Sequence, residues 1–91
     1  MAKEKNVIWK YPIELGDKYK LELPAHAEIL HLGVQDNSPF IWVKVNPFNK
    51  GEKRKFITYG TGQAIEDKAN LVYIGTFTLE GWLVQHLFEI V

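Results

Sequence analysis

The stretch Leu30–Val45, LHLGVQDNSPFIWVKV, constrains this chain more than any other. Leu30, Leu32 and Val34 fall on one face of an extended arm, and His31, Gly33 and Gln35 on the other. That is the two-residue period of a β-strand. Asp36-Asn37-Ser38-Pro39 follows, where two side chains can bond their own backbone and a ring fixes φ, so a turn is predicted there. The return arm is apolar on both faces, with Ile41, Val43 and Val45 on one and Phe40 and Trp42 on the other. A hairpin whose second arm is greasy on both sides has to be covered on both sides.

The same alternation runs outward from this hairpin. Val7–Ile13 is a short strand, and Pro12 places it at a sheet edge or ends it, because proline donates no ladder hydrogen bond. Tyr19–Leu23 sets Tyr19, Leu21 and Leu23 inward and Lys20 and Glu22 outward. Ala25-His26-Ala27-Glu28 connects it to the hairpin, and Asn46-Pro47 breaks the chain after it. Lys53–Tyr59 and Asn70–Leu79 are further strands, the second rich in β-branched and aromatic residues. Leu15-Gly16-Asp17 and Glu80-Gly81 are turns, and Gln63–Asn70 is a polar loop or one helical turn.

Trp82–Val91 reads two ways. As a helix it would stack Leu83, Leu87, Ile90 and Val91 on one stripe. As a strand it alternates Trp82, Val84, His86, Phe88 and Ile90 against Leu83, Gln85, Leu87 and Glu89. Ten residues without good caps favour the strand. The expected fold is therefore all-β, a small antiparallel β-sandwich or open barrel of about seven short strands. Residues 1–6 are polar and expected to fray, and residues 7–91 form one domain. A domain of this length buries only about 60–65% of its unfolded surface, so its core is thin.

Eleven basic and eleven acidic residues cancel, which argues against general attraction to nucleic acid. The local exception is PFNKGEKRK, where Lys50, Lys53, Arg54 and Lys55 face a single Glu52. There is no cysteine, which excludes disulfides, thiolate metal sites and cysteine nucleophiles. The N-terminal residues lack a signal-peptide core, and no apolar run is long enough for a membrane helix. The expected location is cytoplasmic, with no membrane partner.

Five segments together resemble a family of small uncharacterised proteins carried by phages and prophages. They are Ile8-Trp9-Lys10-Tyr11-Pro12, LPAHAEIL at Leu23–Leu30, VQDNSPFIWVKVNP at Val34–Pro47, YGTG at Tyr59–Gly62 and YIGTF at Tyr73–Phe77. His26 stands where that pattern more often has glycine. The resemblance implies a phage origin and a compact β domain, and it brings no reaction and no catalytic residue.

Tyr59-Gly60-Thr61-Gly62 is the candidate binding turn. Its glycines let backbone N–H groups crowd an anion, its threonine adds a donor, and its tyrosine ring can stack on a base. Lys55 shares the Tyr59 face and could neutralise a phosphate, whereas Arg54 points to the opposite face unless the strand starts later. A plain tight turn, needing positive φ at Gly60 or Gly62, accounts for the glycines more readily. The motif is no P-loop, because Lys-Ser/Thr does not follow its second glycine. Histidines 26, 31 and 86 have no metal-site spacing, although folding could bring His31 and His86 together. Ser38 lies in a turn without a nucleophile elbow, and Glu66-Asp67 is the only adjacent carboxylate pair. No catalytic residue, metal or cofactor is expected.

There are more aromatics than one thin core can hold, so Phe40, Trp42, Trp82 and Leu83 are expected at an interface between copies, a dimer or a multiple of it; the alternative is that the N-terminal strand of the same chain covers the second face of Phe40–Val45. The functional expectation is a non-enzymatic protein that sequesters a small anionic, nucleotide-like host immune signal between subunits. The alternatives are an inhibitor of a host defence protein and a structural phage protein.

Overall fold

Each alternating stretch becomes a strand. The computed structural model describes residues 5–65 and 70–91. Its strands are β1 (Val7–Pro12), β2 (Tyr19–Pro24), β3 (Glu28–Gln35), β4 (Ser38–Val45), β5 (Gly51–Gly60), β6 (Leu71–Leu79) and β7 (Leu83–Ile90). Among the described residues there is no helix, and so none long and apolar enough to cross a membrane. All pairings are antiparallel and form two sheets, β1-β4-β3 and β2-β5-β7-β6. Neither sheet closes on itself, so the fold is sandwich-like and not a closed barrel. The C-terminal segment is the strand that its alternation favoured. Glu66 and Asp67, and residues 1–4 of the expected frayed end, lie outside the described residues.

The two-faced arm is β4, the central strand of the smaller sheet. Ile41, Val43 and Val45 point into the core with Leu23, Phe56, Phe77, Leu79 and Leu87. Phe40 and Trp42 face outward and are half-buried, in edge contact with each other at 6.3 Å. His31 lies 5.5 Å from Trp42, and Lys10 sits 4.5 Å over the Phe40 ring. The arm's second face is thus partly covered by neighbours on the same sheet.

Within the β3–β4 hairpin, two details depart from simple alternation. The β3–β4 loop is only Asp36-Asn37, both with positive φ (49° and 58°), and Gln35 already pairs with Ser38. Positive φ at both central residues is the type I′ geometry that follows strand twist, which draws Ser38 and Pro39 into β4. In β3 the register shifts between Ile29 and His31. This bulge turns both Ile29 and Leu32 toward the core and leaves Leu30 45% exposed. The even face of Leu30, Leu32 and Val34 is therefore broken at Leu30, because a bulge adds one residue to the strand.

The sheets meet closely where β3 crosses β6. A Cβ on Gly75 would lie 3.0 Å from Leu32 Cδ2. At one end the Asn37 side chain accepts the Glu80 N–H at 2.7 Å and donates to the Glu80 carboxylate, which ties the β3–β4 turn to the β6–β7 turn.

Candidate functional site

The outer face of the larger sheet carries a second apolar layer. Register places Tyr59 opposite His86, and Ile57 and Tyr73 opposite Phe88. These side chains point away from the core, yet Ile57 is 8% and Tyr59 6% exposed. Phe88 accounts for part of this cover, with its ring 5.9 Å from Tyr59 and 5.6 Å from Tyr73 in edge-to-face contact. Such pairs hold rings at fixed angles.

β5 runs into the turn Thr61-Gly62, where Gly62 has φ +86°. The Gln63 N–H donates to the Gly60 carbonyl at 3.1 Å, so Gly62 occupies the third position of a turn that requires positive φ. The Gln63 side chain folds back and accepts the Gly60 N–H at 2.9 Å. Thr61 Oγ1 meets His86 Nε2 at 2.8 Å, His86 Nδ1 meets Thr76 Oγ1 at 2.8 Å, and Thr76 Oγ1 meets the Tyr73 hydroxyl. Hydroxyls both donate and accept, so this chain satisfies either tautomer of the imidazole.

These groups line an open hollow of about 250 Å³. Tyr59, Phe88 and Ile65 wall it, and Thr61, Gln63 and His86 give it polar edges. The YGTG residues do come together, joined by four that sequence reasoning did not assign: Gln63, Ile65, His86 and Phe88. His86 became a neighbour of Thr61 only through the strand order β5-β7-β6, which no local pattern encodes. His31 lies on the other sheet, so the two histidines do not meet.

The two expected cations are elsewhere. Arg54 is on the inner face, where Nε donates to Glu89 Oε2 at 2.6 Å, Nη2 to Glu89 Oε1 at 2.7 Å and Nη1 to the Ala27 carbonyl at 2.7 Å. The hydrogen bond to Glu89 outweighs burial and holds the guanidinium above its usual pKa. Lys55 lines a different hollow, with Lys18, Tyr19 and Lys20. Two of the turn's backbone donors, on Gly60 and Gln63, are also already taken. The pocket therefore presents rings, hydroxyls, an amide and an imidazole, not a phosphate cradle.

The expected interface residues do not form one patch. Phe40 and Trp42 lie outside the smaller sheet, Trp82 projects from the β6–β7 turn at 73% exposure, and Leu83 turns inward against the core. Among the described residues, no group of three or more His, Asp or Glu side chains could hold a metal ion.

Two open antiparallel sheets with a small aromatic-walled pocket outside the core define a compact all-β domain. The chain belongs to the domain-of-unknown-function family DUF7352, whose profile matches residues 4–91. Neither a curated protein nor a solved structure matches it.

Proposed function

We propose that the chain is a non-enzymatic binding protein of phage type, and that the pocket beside Thr61-Gly62 sequesters a small nucleotide-like ligand through its ring. The observation that carries this reading is the fixed aromatic wall of Tyr59 and Phe88 beside Thr61, Gln63 and His86. A flat ring stacks on such a wall, and its polar edge takes hydrogen bonds from side chains that can donate or accept. Sites for larger ligands run to about 300–1,000 Å³. A pocket of about 250 Å³ suits one ring system per chain. One chain lines it alone, and we propose self-association around the exposed Trp82, independent of the pocket.

A thermal-shift panel of nucleosides and nucleotides tests this. A ligand present at a hundred times its Kd should add about 2.7 kcal/mol of stability. That corresponds to a rise of roughly 10–20 °C for a domain this size. Tyr59→Ala should abolish the rise, and a panel without any rise defeats the reading. The exposed Trp82 at a turn tip supports a second reading, an inhibitor that docks on a host defence protein. In that case lysate capture returns a protein that Trp82→Ala loses, and no small molecule is retained.

A further inference from the structure

We propose a second binding site, for a phosphate-type oxyanion, where Lys18, Lys20 and Lys55 surround a hollow of about 150 Å³ against Tyr19. Register sets Lys20 directly opposite Lys55 on β2 and β5. Like charges directly opposite on a sheet repel, and an anion between them turns that repulsion into attraction.

The cluster does not follow from a general basic surplus, since the chain has 11 basic and 11 acidic residues. Four other cations have their own company. Lys44 lies 3.4 Å from Glu28, Arg54 grips Glu89, Lys10 bonds Gln35 at 2.9 Å and covers Phe40, and Lys53 stands opposite Glu22. Among the described residues, neither Lys20 nor Lys55 has an acidic partner within ion-pair distance. Carboxylates near the cluster in sequence include Asp17 beside Lys18, Glu22 two positions along β2 from Lys20, and Glu14, whose charge acts on Tyr19.

The geometry selects the ligand class. Several lysines lining one hollow match an oxyanion with at least two charges, because each oxygen can accept from a different ammonium group once the side chains turn toward it. Tyr19 lines the hollow between the lysines, while its ring turns to the core beside Phe56. Lys55 and Tyr59 are four residues apart on one face of β5, or about 13 Å at strand rise. The lysine site therefore stands whether or not the ring pocket binds anything.

The test is a pyrophosphate titration followed by backbone amide NMR at constant pH and ionic strength, with chloride as the balancing anion. Saturable shifts centred on residues 18–21 and 54–56 are expected. Lys20→Met with Lys55→Met should weaken binding at least tenfold, and Tyr59→Ala should leave it within twofold. Lys20→Glu should raise the melting temperature of the unliganded protein and abolish the shifts. Shifts that fail to saturate, that spread equally to Lys50 and Lys53, or that survive in the double lysine variant overturn the proposal. So does tighter binding by an oligonucleotide with shifts across both sheets.

Discussion

Replacing Arg54 by methionine separates a structural cation from a ligand-binding one. The guanidinium makes three charge-assisted bonds, two to Glu89 and one to the Ala27 carbonyl, at 2.6–2.7 Å. The two side chains are only 19% and 14% exposed. Arg54→Met leaves the Glu89 carboxylate and the Ala27 carbonyl without these donors. Removing one partner of a fully buried pair costs about 3–5 kcal/mol. The residual exposure here lowers that to about 2–3 kcal/mol, or roughly 10–20 °C in Tm. Urea unfolding of Arg54→Met, Glu89→Met and the double variant forms a complete cycle. Each single change should be costly, and the double should regain most of the loss, because two apolar side chains need no partners. The Arg54 pKa is raised above its ordinary value by the bond to Glu89, so the stability its charge supplies is complete below the unfolded-state pKa and is lost only as pH rises past the folded-state pKa. The arginine's share should therefore be flat from about pH 6 to pH 10. A loss under about 0.5 kcal/mol in Arg54→Met, the size of an ordinary surface change, would refute the reasoning.

The Tyr19 hydroxyl is buried without a hydrogen-bond partner, so Tyr19→Phe should stabilise by about 1 kcal/mol in urea at pH 8. Burial chiefly raises the Tyr19 pKa; the nearby Glu14 backbone opposes this, and the Glu14 charge adds a smaller push upward. Its contribution is thus complete below pH 10 and falls as pH climbs toward the folded-state value, so the variant should lose less stability than the parent between pH 9 and 11, with Tyr11 keeping a share of the slope. His26 has φ 66°, and His26→Gly should gain about 0.5–1 kcal/mol by thermal melting. Gly75→Val, whose Cβ would meet Leu32 at 3.0 Å, should cost about 1–3 kcal/mol by the same measurement, and Gly75→Ala less, since the end of Leu32 can shift.

Strand existence and strand facing were legible because period-two alternation is a local property. Trp82–Val91 shows it: Leu83, Gln85, Leu87 and Glu89 take the inner face and Val84, His86, Phe88 and Ile90 the outer, as the pattern gives. Leu30 was not legible, because a bulge inserts a residue without leaving a sequence mark of its own. The opposite facing of Arg54 was visible from parity alone, but its partner Glu89 lies 35 residues away on a strand whose neighbours only topology fixes. The pocket divides the same way. Tyr59 to Gly62 could be found by their turn chemistry, whereas His86 and Phe88 depended on β7 lying beside β5. His26 is the instructive middle case. The resemblance has glycine more often at that position, and the positive φ found there is the physical reason.

Where the pocket sits bears on what it can do. The core lies between the sheets and takes Phe56, Phe77 and Leu87 from β5, β6 and β7. The pocket takes Tyr59 and Phe88 from β5 and β7, but on the opposite face. A substitution at Phe88 can therefore reshape the pocket without opening a void in the core, while one at Phe56 cannot. Fixed backbone and separable side chains suit a binding site, because affinity for a ring depends on how firmly the wall is held before the ligand arrives. The strands hold that wall from behind, and the bonds from Thr61 through His86 to Thr76 and Tyr73 hold it from the side. A chain with so thin a core gains rigidity at this face by making one set of ladder hydrogen bonds serve both the fold and the pocket.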